Sequence, residues 1–296
     1  MKKDAGLEAA VAKLTATAER RVAAPKKKQP QSNPQMLLEL WPEDVRGVPN
    51  AILRSALFSV MKERPAATRE LLAAVDGIEV RFTGIRLNQK DLDYFELILH
   101  LQRMQPLGAS IRFTASAFLK AMGLSVGKYQ YDELKEVIAR LGANKTEITW
   151  VAEKKTFARS LIEKFDRDEE TQEYVVTLNP ELMKLYNTGY TYIDWEQRQA
   201  LGRNMLAKSL HGLYASHASP YAYKVETIRA LTGSNVKEIY KFRQLLRTAL
   251  DELVSVKALV EWQIDKNDLV HVKRVPTASQ QKSLNKSVRG TNLAIC

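Results

Sequence analysis

Two stretches of this chain repeat one pattern, and the repetition limits its possible folds more than any other feature. In the first, a strand-like Ile111 to Phe113 leads into a helix capped by Thr114 and reaching Met122, a turn at Gly123, and a helix over about 128–141. In the second, a helix over 225–231 leads to a turn at Gly233 and a long helix over 235–255. Two alternating strands, Leu259 to Ile264 and Leu269 to Val275, then flank the turn Asp265-Lys266-Asn267-Asp268. Phe118, Ala121 and Gly123 align with Ile228, Leu231 and Gly233 at an offset of 110, and Leu134, Ile138, Leu141 and Trp150 align with Leu246, Leu250, Leu253 and Trp262 at an offset of 112. Apolar positions matched across two helices and a following tryptophan point to a duplicated fold.

Helix, short helix, turn, helix and hairpin is the order of a winged helix. The expected class is therefore α+β: two tandem winged-helix domains behind a flexible basic N-terminal arm. The arm covers 1–40, the first domain 41–193 and the second 194–276, with a disordered tail at 277–296. In the first domain, Ile78 to Arg86 alternates like a strand and Asn88 caps the next helix, while Thr146 to Ala152, Ser160 to Phe165 and Glu173 to Leu178 form a β-rich stretch with an acidic tip at 166–170. One long helix over 195–216 is expected to open the second.

The charge is unevenly spread. The chain carries 45 Lys and Arg against 34 Asp and Glu, a formal net charge of +11. Residues 1–34 hold eight basic and three acidic side chains, 35–199 hold 22 and 24, and 200–276 hold 12 and seven. A polyanion would therefore feel mainly the arm, where PKKKQPQSNP at 25–34 cannot pack a core, and the C-terminal third. No apolar run approaches the roughly 20 residues of a membrane span, and no secretory signal pattern is present, so a cytoplasmic location is expected.

Catalytic motifs are scarce. The lone cysteine, Cys296, excludes an internal disulfide framework. There is no GxxxxGK[ST], GxGxxG or HExxH, and His100, His211, His217 and His271 are not spaced as a helical metal pair. No catalytic residue, metal or cofactor is assigned, and the chain is not expected to be an enzyme.

The segment 235–255 is the most informative. At about 100° per residue, Ile239, Phe242, Leu246, Ala249, Leu250 and Leu253 gather on one face, and Lys237, Tyr240, Lys241, Gln244, Arg247 and Thr248 on the other. In a helix-turn-helix the second helix enters the major groove, where Arg and Lys donate to guanine, Gln pairs with adenine, and Tyr and Thr reach phosphate. Lys266, His271, Lys273 and Arg274 of the following hairpin are expected to hold the DNA backbone. The competing reading is an ordinary solvated face. In the first unit, Lys128, Lys135 and Lys145 are candidate backbone contacts, but Asp132, Glu133 and Glu136 cancel the charge, so a weaker contact is expected there.

Before the folded region, Gln35, Leu38, Leu40 and Trp41 resemble the QxxLxLF peptides that insert into the bacterial replicative sliding clamp, with tryptophan where phenylalanine is usual. The alternative is that Leu38 and Trp41 pack on the first domain.

Trp41-Pro42, Pro49-Asn50 followed by Arg54-Ser55-Ala56-Leu57-Phe58, Phe82-Thr83-Gly84, Ser216-His217 with Pro220-Tyr221, and Leu269-Val270-His271 with Lys273-Arg274 carry a resemblance over about 35–275. Through them the chain resembles the TrfA family of plasmid replication initiators. The resemblance implies a protein that binds repeated origin sites (iterons) in duplex DNA, helps melt an adjacent AT-rich segment, and recruits the host initiator DnaA, the replicative helicase and the sliding clamp. It also implies monomers that bind iterons and less active homodimers. A winged-helix repressor of a plasmid operon is the alternative, and it would need neither a clamp peptide nor an opened strand. A nicking enzyme would need a catalytic tyrosine beside a histidine pair, against which the histidine spacing argues.

Overall fold

The computed structural model describes residues 37–277 and Gln280. Residues 1–36, which hold most of the arm and Gln35, and residues 278, 279 and 281–296 lie outside the described residues. The chain adopts the mixed helix-and-strand class expected.

The first unit opens with β1 (Val45–Pro49), α1 (Asn50–Leu53), β2 (Phe58–Ser59), β3 (Ala66–Leu72), β4 (Ile78–Ile85) and β5 (Leu87–Asn88). A capping box starts α2 (Gln89–Gln102): the Asn88 side chain accepts from the Lys90 and Asp91 amides, and Asp91 accepts from the Asn88 amide. After β6 (Ser110–Thr114), Thr114 caps α3 (Ala115–Ala121) through the Ala117 amide, and α4 (Lys128–Gly142) follows the Gly123 turn. Then come β7 (Lys145–Trp150), β8 (Lys155–Arg159), β9 (Ile162–Arg167) and β10 (Glu173–Leu178). A 3-10 turn, α5 (Met183–Asn187) and β11 (Tyr190–Asp194) complete the unit, with β11 pairing antiparallel to β1.

The second unit contains α6 (Trp195–Ala200), α7 (Met205–Ala215), β12 (Tyr223–Lys224), α8 (Val225–Leu231), α9 (Ile239–Ser255), β13 (Glu261–Ile264) and β14 (Leu269–Lys273). Its antiparallel sheet runs β12-β14-β13, and the first unit has the same order in β6-β10-β9. Thus α2, α3, α4 and their sheet correspond topologically to α7, α8, α9 and theirs. Gly123 and Gly233 both turn with positive φ, at 71° and 61°. A Cβ on Gly233 would stand 2.8 Å from Ser59 Cβ, so that turn packs directly on the first unit and admits only glycine.

Two expectations need correction. Trp150 does not correspond to Trp262: Trp262 lies on the hairpin strand β13, whose counterpart is β9, whereas Trp150 lies on β7. β7 and β8 belong instead to an antiparallel sheet, β3-β4-β7-β8, that interrupts the first copy. Second, the helix over 195–216 is broken, because Gly202 turns with φ 55° and Asn204 starts a new helix by accepting from the Ala207 amide. β3, which no sequence pattern marked, has the sequence AATRELL, rich in residues that favour helix; pairing with β4 overrides local preference.

Buried apolar residues form two clusters, one spanning Leu38 to Trp195 and one spanning Leu201 to Val270. Charged side chains join them. Arg198 on α6 is fully buried, its Nε 2.8 Å from Asp93 Oδ1 and 2.9 Å from Glu96 Oε2 on α2, and its Nη1 donates to the Lys208 carbonyl of α7 at 3.2 Å. Lys208 Nζ meets the other Asp93 oxygen at 2.6 Å. Arg54 bonds Asp76 at 2.9 Å and also Ser216 Oγ and carbonyl, while His217 Nε2 lies 3.3 Å from the same Asp76. Two blocks that carry the family resemblance, around Arg54 and at Ser216-His217, therefore meet in one contact between the units.

Candidate nucleic-acid interface

α9 separates its residues as a 3.6-residue period requires. Phe242, Leu246, Ala249, Leu250 and Leu253 are fully buried, which makes this face the second unit's core and fixes the opposite face outward. Lys237 precedes the helix, and Tyr240, Lys241, Gln244, Arg247 and Thr248 lie along it; all six are exposed. The helix thus brings together five of the six residues proposed from periodicity, with Lys237 just ahead of it. Thr248 Oγ1 donates back to the Gln244 carbonyl at 3.3 Å, and Lys241 Nζ lies 3.6 Å from Glu238. Arg247 has no ion pair among the described residues. Such a surface presents cations and one amide to a ligand with little to displace, since exposed pairs contribute about 1 kcal/mol or less.

Two arginines missed at the sequence level shape this surface. Arg229 on α8 donates through Nη1 to the carbonyls of Val236 at 3.2 Å and Lys237 at 2.7 Å, fixing the approach to α9. Arg243, one residue off the outward face, grips Asp268 with both arms of its guanidinium, Nε to Oδ1 at 2.9 Å and Nη2 to Oδ2 at 3.0 Å. Asp268 sits at the hairpin turn with φ 63°, and its carbonyl accepts from the Val225 amide at 3.0 Å. The hairpin therefore keeps one angle to α9, as a planar two-point bond demands. An arginine near a turn aspartate in sequence order would not signal this, because the partners are 25 residues apart.

The hairpin offers fewer free cations than expected. Lys266 is exposed at the tip without an acidic partner among the described residues. His271 Nε2 lies 3.1 Å from Asp265, whose carboxyl is held below its usual range first by the Leu269 amide and then by this histidine. Lys273 lies 3.2 Å from Glu261, and both are well exposed. Arg274 requires correction as a backbone contact. Strand alternation puts it on the same side as Val270 and Val272, and its Nη1 donates to the His217 carbonyl at 3.0 Å and the Ala215 carbonyl at 3.4 Å, at the C-terminal end of α7. Burial lowers its pKa. It caps a helix end instead of facing a ligand.

In the first unit the cations are largely compensated. Arg140 on α4 lies 2.9 Å from Asp91 and 3.7 Å from Glu133. Lys135 is 4.0 Å from Glu169 at the acidic hairpin tip, and Lys145, on the interrupting sheet, is 3.7 Å from Glu147. Lys128 stands exposed at the start of α4. The structure does not gather Lys128, Lys135 and Lys145 on one element.

Of the docking peptide, Leu38 and Trp41 are core residues. The Trp41 indole donates to His100 Nδ1 at 3.0 Å and stacks on Tyr186 with centroids 6.4 Å apart. His100 Nε2 then faces Glu43 at 2.8 Å, and burial drives the His100 pKa down to about 4. Leu40 is 71% exposed. The packing alternative holds for Leu38 and Trp41: their apolar area is already spent on the first core.

Among the described residues no three His, Cys, Asp or Glu side chains converge to hold a metal ion, and no helix is long and apolar enough to cross a membrane.

The family model described as TrfA protein matches residues 2–274. The plasmid replication initiator protein TrfA of Escherichia coli is 29% identical over 243 residues, which cover 79% of this chain and 63% of that relative. The chain thus spans under two thirds of the relative's length. Among solved structures, domains 2 and 3 of RctB share the fold with a TM-score of 0.54 at 12% identity, covering 76% of this chain and 98% of that one. A Pi initiator protein in complex with iteron DNA superposes with a TM-score of 0.47 at 14% identity, over 62% of this chain and 89% of that one.

Proposed function

This chain belongs to the TrfA family, and from that premise we propose that it is a plasmid replication initiator that binds repeated origin sites as duplex DNA. In this reading each unit is a winged helix, α9 enters a major groove, and α4 makes the weaker contact of the pair. Lys241, Gln244 and Arg247 address base edges or phosphates, while Lys266 and Lys273 hold the adjacent backbone. Binding energy then helps open an AT-rich segment, and DnaA and the helicase are recruited there. The observation that carries the reading is the outward face of α9, where three cation-bearing or amide side chains, Lys241, Gln244 and Arg247, stand exposed over a fully buried apolar stripe, with Lys237 exposed just before it.

The test is a titration of an origin duplex and a scrambled duplex of equal composition at two salt concentrations. A preference for the origin duplex that persists at the higher salt, and that Arg247→Ala reduces by about 10- to 100-fold, is the expected result. Equal, salt-sensitive binding of both duplexes would overturn it. Permanganate reactivity of the AT-rich segment on supercoiled plasmid then separates initiation from repression, since a repressor leaves the strands paired.

Asp268 gives a test by sign. Removing a carboxylate beside a phosphate-binding surface should strengthen binding by electrostatics alone. Because Asp268 holds Arg243 and the hairpin angle, Asp268→Ala is expected to weaken origin binding several-fold instead. Tighter binding by this variant would mean that the hairpin angle is immaterial.

A further inference from the structure

The backbone between β2 and β3 connects the two reading helices. On one side, the Val60 amide donates to the Thr232 carbonyl at 2.9 Å, and Asn235 Nδ2 donates to Glu63 Oε2 at 3.1 Å. Both contacts lie in the turn that leads into α9. On the other side, Arg64 binds Asp91, the carboxylate that also receives Arg140 of α4, and Lys62 and Arg64 line a concave surface with Lys90, Tyr129 and Glu133. The segment therefore lies between the approach to α9 and the first turns of α4. Those are the ends by which recognition helices address base edges.

We infer that the segment Val60–Arg64 makes a third contact with duplex DNA, in which Lys62 binds a backbone phosphate between the two major-groove stretches entered by α4 and α9. The inference rests on the duplex-binding reading above. A chain that sets two helices into successive major grooves on one side of a duplex straddles the minor groove between them, together with its two flanking rows of phosphates. Whatever joins the helices on that side faces those phosphates.

Charge pairing selects the residue. Arg64 is held by Asp91 and by Asn88 Oδ1 at 3.2 Å, Arg140 by Asp91, and Lys90 by Glu133 at 3.0 Å. Lys62 is exposed and has no carboxylate partner among the described residues, and its neighbour Glu63 is occupied by Asn235. It is the cation here that can neutralise a phosphate without first giving up a protein partner. The backbone on both sides is fixed, since Asn88 Nδ2 donates to the Met61 carbonyl at 3.1 Å and the Arg86 amide donates to the Pro65 carbonyl at 3.0 Å. A fixed backbone lowers the entropy lost when the lysine engages.

A phosphate contact carries no base preference, and this determines the experiment. The full chain and its Lys62→Ala, Lys62→Glu and Lys62→Arg variants are titrated against the origin duplex and the scrambled duplex across a salt series. Lys62→Ala should weaken both duplexes by a similar factor of about three to ten and reduce the slope of log affinity against log salt by about one. Lys62→Glu should weaken both further, and Lys62→Arg should restore them. Unchanged affinity and slope for Lys62→Ala, with the wild-type preference for the origin duplex intact, would overturn this contact alone. A loss confined to the origin duplex would replace the phosphate with a base edge and equally overturn it. A wild-type chain without origin preference would instead remove the duplex reading on which the contact rests.

Discussion

Arg198→Ala should destabilise the protein by about 3 to 5 kcal/mol, the cost of leaving buried carboxylates without their cation. Arg198 is fully buried and touches Asp93 and Glu96 of α2 and the Lys208 carbonyl of α7. Asp93 would keep Lys208 at 2.6 Å. Glu96, itself fully buried, would lose its one ion pair among the described residues and keep only the longer-range attraction of Arg46 and Lys208, and its pKa is already pushed up to about 7, by burial first. Because the folded-state value lies above the usual glutamate range, the uncharged form is the one the fold favours, and stability falls as pH rises through about 7. Removing Arg198 raises that value further. The deficit of Arg198→Ala should thus be smaller at pH 5 than at pH 8, as measured by denaturant unfolding. Combining Arg198→Met with Glu96→Gln should recover much of the loss, since neutral, similarly sized side chains remove the charge that needs a partner. A deficit below about 1 kcal/mol, or one independent of pH, would show that water reaches the pair.

Trp41→Ala should cost about 3 to 5 kcal/mol, as for other buried large side chains, whereas Leu40→Ala should change stability by about 0.5 kcal/mol or less. Trp41 packs so closely that a Cβ on Gly47 would lie 2.8 Å from its ring, and its carbonyl accepts from Arg103 Nε at 3.1 Å. A partner that took up the Trp41 ring would first have to extract it from this site. At 1.4 kcal/mol per tenfold change, extraction would weaken such a complex by roughly two to three and a half orders of magnitude. Thermal melting of the two variants measures the difference. A clamp pull-down that needs Trp41, with Trp41→Ala melting like wild type, would return the segment to a docking role.

Several features were legible because they depend on neighbours in sequence. The outward face of α9 follows from its period, the start of α2 from the Asn88–Asp91 capping box, and the left-handed turns from Gly123 and Gly233. The inward direction of Arg274 was also available, from its two-residue spacing to Val272 and Val270, but its basic character drew it to the ligand side. Other features could not be read locally. The strand β3 has a helix-favouring sequence, and β7 and β8 occupy the place where a simple duplication puts the hairpin. Arg243 finds Asp268 across 25 residues, Trp41 finds His100 across 59, and Arg198 finds Asp93 across 105.

By itself the sequence determined which faces are apolar, where the helices start and turn, and that the basic surplus lies in the arm and the C-terminal third, because periodicity, capping and composition act over a few residues. Only the tertiary structure decided which cations are free. Arg140, Arg198 and Arg274 are held by carboxylates or carbonyls, whereas Lys62, Arg247 and Lys266 are without acidic partners among the described residues. The physical reason is that a charge is available to a ligand only where the fold brings no opposite charge within a few ångströms, and that distance is set by the packing of segments far apart in the chain.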